Sequence, residues 1–166
     1  MTCSSSNMRR TETLRAADDD FVREWVLARG ESAGSNFQSK RARRASAPRV
    51  LIADDYPDSA ESLAMFLSAA GCDTQIAYDG LEALVRASAW QPHACVFDLG
   101  MPKLDGCEVA RNVRQCAWAR DCLLIAVTGW TATEHRRAAE HAGFDLYLRK
   151  PVEPDELLRV VRKHAS

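Results

Sequence analysis

The stretch Val50-Leu51-Ile52-Ala53-Asp54-Asp55 is an apolar run of four closed by two acids. A second run, Ala94-Cys95-Val96-Phe97, ends on a third acid, Asp98. Leu146-Tyr147-Leu148 leads through Arg149 into Lys150-Pro151. Short continuous apolar runs mark strands buried on both faces of a parallel sheet, and the carboxyl ends of such strands face the ligand crevice. If the three runs share one sheet, three carboxylates and one ammonium converge at one edge. Like charges held so close repel unless a cation neutralises them. Oxygen-only ligands suit Mg²⁺, which keeps several waters and completes its shell with a phosphoryl group. The pattern points to phosphoryl transfer onto a carboxylate.

Working outward from Arg49, strands and helices alternate five times. A strand over 49–53 precedes a helix near 58–70 with Leu63, Phe66, Leu67 and Ala70 on one face, and Gly71 ends it as a C-cap. The second strand, 72–77, alternates polar and apolar as an edge strand should. Asp79-Gly80 starts a helix bearing Leu81, Leu84 and Val85. The third strand spans 93–97, and the helix after it carries Val109, Ala110 and Val113. The run 122–127 is apolar apart from its sulfur, so it is placed centrally. The next helix buries mainly Ala138, Ala139 and Ala142 and is therefore weakly anchored. Gly143 caps it, a fifth strand covers 144–148, and the last helix presents Leu157, Leu158 and Val161. The expected class is α/β, a five-stranded parallel doubly wound sheet with five helices and right-handed crossovers.

Asp98-Leu99-Gly100-Met101-Pro102-Lys103-Leu104-Asp105-Gly106 resembles the phosphoacceptor loop of response-regulator receiver domains of two-component signalling systems. Val127-Thr128-Gly129 resembles their switch-threonine turn, and Tyr147-Leu148-Arg149-Lys150-Pro151 their last strand and lysine. These features occur in family order across 49–166. The resemblance implies a CheY-like, flavodoxin-like sheet of order 2-1-3-4-5, which puts the two least continuous runs at its edges.

The resemblance also implies roles. Asp98 is the phosphoacceptor, a carboxylate that attacks the phosphorus of a phosphohistidine from an exposed strand end. Mg²⁺ is held by Asp55 directly, by Asp54 through water or a hydrogen bond, by Asp98, and by the backbone carbonyl of Gly100. Thr128 follows the central strand and hydrogen-bonds a phosphoryl oxygen, while Gly129 leaves room for the group. Lys150 pairs with the acceptor and then with the phosphate; Pro151 follows a cis peptide that aims Lys150 inward. Tyr147 matches the switch aromatic. Two positions depart from the commoner pattern: Gly100 has no side chain, and Trp130 is bulky where it flanks the phosphoryl group, which bears on how long the phosphorylated state lasts.

The net charge of −1 hides an asymmetry. Residues 1–48 hold nine Lys/Arg against six Asp/Glu, +3; residues 49–166 hold thirteen against seventeen, −4. An acidic domain carries no electrostatic footprint for DNA. The longest hydrocarbon run is five residues, Leu123 to Val127, too short to span a membrane. Arg9 and Arg10 lack the apolar stretch of a secretory signal behind them. Six cysteines at 3, 72, 95, 107, 116 and 122 show no C-x-x-C spacing, so neither a zinc site nor a disulfide framework is expected. Cys95 reads as a core hydrophobe, and a reducing cytoplasm fits. His93, His135, His141 and His164 are expected at the surface.

Residues 1–48 read as an extension and linker. Leu14, Ala17, Phe21, Trp25 and Ala28 recur at helical spacing near 12–29, interrupted by the poor helix formers Asp18-Asp19-Asp20. Residues 30–48 are Ser/Ala/Gly-rich and contain Lys40-Arg41-Ala42-Arg43-Arg44. The receiver resemblance covers 49–166 and implies a stand-alone switch, because only sixteen residues follow Lys150 and leave no length for a DNA-binding or enzymatic output domain. Its implied partners are a sensor histidine kinase or phosphotransfer protein, and a downstream protein on the face made by the fourth helix, fifth strand and fifth helix. The nearest alternative is a receiver of a hybrid histidine kinase, which Pro57-Asp58-Ser59-Ala60-Glu61-Ser62-Leu63 also resembles. A flavin carrier would need a Ser/Thr/Gly-rich phosphate cradle where Asp54-Asp55 stands. An aspartate-nucleophile phosphohydrolase would need a second acid where Gly100 stands.

Overall fold

The computed structural model describes residues 47–129 and 133–165, with the side chains of 133–136 left aside. The helical pattern at 12–29, the basic run at 40–44, Trp130 and the His135 side chain lie outside the described residues. Five strands, β1 (Arg49–Ala53), β2 (Asp73–Ala77), β3 (Ala94–Asp98), β4 (Leu123–Thr128) and β5 (Leu146–Arg149), alternate with five helices. The helices are α1 (Pro57–Ala69), α2 (Gly80–Trp90), α3 (Gly106–Gln115), α4 (Thr133–Ala142) and α5 (Pro154–Ala165). All strand pairs are parallel and the order is β2-β1-β3-β4-β5, as expected. No described helix is long and apolar enough to cross a membrane.

Alternate residues of each central strand go to opposite faces. Val50 and Ile52, Val96, Ile125 and Val127 pack with Leu67 of α1 and Leu157, Val160 and Val161 of α5. Leu51 and Ala53, Phe97, Leu124 and Ala126 pack with α2, α3 and α4. Phe97 meets Phe144 edge-on, centroids 6.4 Å apart at 81°, an arrangement that adds about 1 kcal/mol to simple burial. Helices thus cover both faces of the sheet, and the acids gather at its carboxyl edge.

Several local readings are corrected. On α2 the expected core residues Leu81 and Val85 are exposed, 49% and 61%, while Gly80, Ala83 and Ala87 are buried. The cause is a close approach: a methyl group on Gly80 would lie 1.9 Å from the Leu104 carbonyl oxygen, so only the alanine stripe fits inward. On α4, Ala139 and Ala142 are buried but Ala138 is exposed. On α1, Ala60, Ala64 and Leu67 form the buried stripe, with Leu63, Phe66 and Ala70 half-buried beside it. His93 is half-buried, its Nδ1 accepting the Arg49 N–H at 3.0 Å. His164 is half-buried too, 2.6 Å from the Asp121 carbonyl, and His141 is exposed as expected. A turn of 3₁₀ helix at Ala117–Asp121, not anticipated, carries Ala119 into the core. Gly71 and Gly143 end α1 and α4 with φ of +90° and +93°, the left-handed cap that glycine permits. The described cysteines are all free thiols, and Cys95 is wholly buried.

Candidate functional site

Strand register gathers the acids. β1 pairs with β3 at Ala53↔Phe97, so Asp54, one residue further on, comes alongside Asp98. Asp98 is itself the last residue of β3, opposite Val127, and Thr128 closes β4 opposite Arg149. Thr128 therefore ends the central strand instead of following it, because the ladder to β5 runs one residue further. One carboxylate oxygen from each of Asp54, Asp55 and Asp98 lies within 4.8 Å of the others. Asp54 and Asp98 are buried, and Asp55 is half-buried.

Lys150 bridges two of them. Its Nζ donates to Asp54 Oδ2 at 2.8 Å and to Asp98 Oδ2 at 2.7 Å. Burial works against its charge, but these hydrogen bonds and the negative charges behind them outweigh it and hold the ammonium pKa above that of an ordinary lysine. The Lys150-Pro151 peptide is cis, as expected. The Tyr56 ring lies with its centroid 5.9 Å from Nζ, within cation–π range.

The adjacent acids have different surroundings. Asp54 Oδ1 accepts the Tyr56 N–H at 3.0 Å, and its Oδ2 accepts the Ser59 hydroxyl at 3.0 Å as well as Lys150. Asp55 Oδ1 is buried and accepts no hydrogen bond. Leaving a charged oxygen buried and unsatisfied is costly. A hard cation beside it would satisfy that oxygen, and the all-oxygen donor set is of the kind Mg²⁺ takes. The residues present fit such an ion.

The loop after Asp98 is held tightly. Asp98 Oδ1 accepts the Gly100 N–H at 3.2 Å, Leu99 N–H donates to Val127 O at 3.1 Å, and Gly106 N–H donates to Leu99 O at 3.2 Å. The helix α3 starts directly beneath, capped by a reciprocal pair: Glu108 N–H to Asp105 Oδ1 at 2.7 Å, and Asp105 N–H to Glu108 Oε2 at 3.0 Å. A cavity of about 510 Å³ opens on Asp98, walled by Asp55, Thr128, Gly129, Arg111 and Lys150. A methyl group on Gly129 would meet nothing within 4 Å, so there is room beside the carboxylate.

Thr128 and Tyr147 are both buried, 3% and 5% exposed. Tyr147 pairs with Ala126, two residues before Thr128, so alternation sets the two side chains on the same face of neighbouring strands. The sequence reading missed Ser59, Tyr56 and Arg111. Each follows a motif by a few residues, but only the folded geometry brings it to the acids.

The model of the response regulator receiver domain matches residues 50–162. The chain belongs to that family. A receiver of this family is a two-component signalling module, not a classical enzyme, and receivers generally bind Mg²⁺ at an acidic pocket of this kind. The chain is 36% identical over 115 residues to an uncharacterized 14.6 kDa protein of Leptolyngbya boryana, covering 69% of this chain and 88% of that one. It is 39% identical over 114 residues to the response regulator MprA of Mycobacterium avium, covering 69% of this chain and 49% of MprA. The receiver thus spans about half the length of the MprA proteins it matches. Among solved structures, it superposes with a TM-score of 0.67 and 26% identity on the receiver domain of the sensor histidine kinase PA1611 of Pseudomonas aeruginosa, which holds a magnesium ion in its active-site cleft. That match covers 72% of this chain and 98% of the other.

Proposed function

We propose that this receiver, residues 49–166, takes a phosphoryl group from a histidine kinase or phosphotransfer protein onto Asp98 and then acts by protein contact. The observation that carries the reading is the Lys150 ammonium shared between Asp54 and Asp98 beside an unsatisfied Asp55 oxygen. A carboxylate oxygen of Asp98 attacks the phosphorus, the bond to the donor imidazole nitrogen breaks, and an acyl phosphate forms. Asp55, with Asp98 and the Gly100 carbonyl, would hold Mg²⁺, and Asp54 would steady it through water or a hydrogen bond. When bound, the ion offsets the negative charge that develops on the phosphoryl oxygens.

The remaining roles belong to side chains of this chain. Lys150 exchanges its contact with Asp98 for one with the new phosphate, keeping a positive charge where negative charge increases. Thr128 turns its hydroxyl toward the phosphate across the space at Gly129, and Tyr147, on the same face, follows. The output surface is then the face of α4, β5 and α5. In sequence, residues 1–48 read as an extension and linker preceding the receiver, and the free thiols of the described cysteines fit a reducing cytoplasm.

The test is incubation with a small phosphodonor and Mg²⁺. Wild-type protein should gain one acid-labile phosphate, and the folded variant Asp98→Asn none. Incorporation by that variant at the wild-type rate would make another residue the acceptor.

A further inference from the structure

Tyr56 is a large aromatic residue whose backbone is fixed and whose side chain is left open beside the acceptor. It is 67% exposed, yet its main chain is pinned on both sides. The N–H donates to Asp54 Oδ1 at 3.0 Å, and the carbonyl accepts the N–H groups of Ser59 and Ala60, each at 3.1 Å. Pro57 follows, and a proline keeps the residue before it extended, here at φ −95° and ψ 105°. Among the described residues the other exposed large apolar side chains, Met65, Tyr78, Leu81 and Val85, do not line the acceptor cavity, and Tyr56 is the one aromatic in its wall. The ring centroid lies 5.9 Å from Lys150 Nζ, which is itself 2.7 Å from Asp98 Oδ2.

We propose that the Tyr56 ring stacks on the imidazole of the phosphohistidine donor, and so selects that donor over phosphoryl compounds whose leaving group has no aromatic ring. The inference rests on Asp98 being the acceptor. In-line attack by a carboxylate oxygen of Asp98 puts the departing nitrogen on the far side of phosphorus, toward the cavity mouth, where an exposed wall residue can meet it. The O–P bond forms as the P–N bond breaks. The electron pair of the P–N bond stays on the imidazole nitrogen, and a proton already carried by the other ring nitrogen leaves the departing imidazole neutral. Before transfer that proton gives the donor ring a positive charge, and the π face of a tyrosine attracts a cation, as it does the Lys150 ammonium. Two flat rings also stack, and Tyr56 loses little freedom in doing so, because its backbone is already held and its side chain has two torsions.

Two small donors isolate the ring. Phosphoimidazole and phosphoramidate share a P–N bond and differ in whether an aromatic ring departs. The experiment measures the second-order rate at which each labels the full chain with Mg²⁺, and reads the ratio of the two. Tyr56→Ala and Tyr56→Leu should lower the phosphoimidazole-to-phosphoramidate ratio about fivefold, the factor that one stacking or cation–π contact supplies. Tyr56→Phe should keep the wild-type ratio. Any effect of a substitution on Lys150, on Mg²⁺ or on the fold is common to both donors and cancels. A wild-type ratio in Tyr56→Ala would overturn the proposal. So would a wild-type ratio in Tyr56→Leu, which would assign the effect to bulk, or a lowered one in Tyr56→Phe, which would assign it to the hydroxyl. Asp98→Asn separates the two assignments. Labelling that persists in that variant refutes the acceptor and this inference with it; labelling lost there, with a ratio indifferent to every Tyr56 substitution, refutes the stacking alone.

Discussion

Gly106 lies against the backbone of Asp98 so closely that a methyl group on it would sit 2.4 Å from the Asp98 carbonyl oxygen and 3.0 Å from the Leu99 Cα. The first residue of α3 is thus the floor on which the acceptor loop rests. Because the obstructing atoms are backbone, neither side can swing away.

Gly106→Ala is accordingly expected to destabilise the fold by about 1–3 kcal/mol, the usual cost of overpacking, and to slow phosphate uptake by displacing Asp98. Urea unfolding and phosphorylation by a small donor read the two effects separately. Wild-type values for both would show that the loop yields at little cost.

Asp55→Ala removes a buried oxygen that accepts no hydrogen bond, along with one member of the acidic cluster. Stability in chelator should rise by about 1 kcal/mol. Added Mg²⁺ should raise the melting temperature of the wild type but not of the variant. A variant that melts lower than wild type in chelator would mean that Asp55 is stabilised by contacts of its own.

Lys150 makes alkaline stability a test of its pairing. Its folded-state pKa is raised above that of the unfolded chain, so the stabilising contribution of its charge is complete below the unfolded value of about 10.4 and is lost as pH rises through the folded value. The stability gap between wild type and Lys150→Met should stay constant from about pH 7 to about pH 9 and narrow above about pH 10.5. Cys72 and Cys107, whose thiols burial pushes up, titrate with the same sign in both proteins and cancel in the difference. A gap that is flat to pH 11 (about half a unit above an ordinary lysine) would deny the pairing any energetic weight.

Phosphorylation should reorganise the face formed by α4, β5 and α5. Among the described side chains of α4 the buried ones are Ala139 and Ala142, so the apolar area they contribute against a shift is small. A beryllofluoride phosphate mimic should alter hydrogen exchange across residues 129–150, and Thr128→Ala should abolish that change while the mimic still binds. Unchanged protection in the wild type with the mimic bound would remove the switch and leave the phosphate chemistry intact.

The strands were legible because buried parallel strands are continuous apolar runs, and their order followed from the family resemblance. Boundaries shifted by a residue or two where the ladder, not the composition, decides: Asp98 and Thr128 proved to be strand residues. On α2, size misled. Leu81 and Val85 look like core, but the backbone of Leu104 presses so near Gly80 that alanines take the inner face. His93 looked like a loop histidine, and its bond to Arg49 crosses 44 residues that no local pattern spans. At the site, the three acids and Lys150 could be named from their strand ends. The division between a satisfied Asp54 and an unsatisfied Asp55 could not, because it depends on the Tyr56 N–H and the Ser59 hydroxyl curling back at the start of α1.

Arg114 of α3 reaches under the far edge of the sheet. Its guanidinium donates to the carbonyls of Gly143 at 2.7 Å, Ala119 at 2.8 Å and Cys122 at 2.9 Å, and to Asp145 Oδ2 at 2.5 Å. Asp145 in turn accepts the Leu124 N–H at 2.8 Å. The lower end of α4 is therefore tied to β4, β5 and α3 together. A helix fixed at one end cannot slide along its axis; it can only pivot. In a displacement that starts at Thr128, the Gly143 end would then move least and the Thr133 end most, so that α4 would act as a lever with Arg114 as its fulcrum.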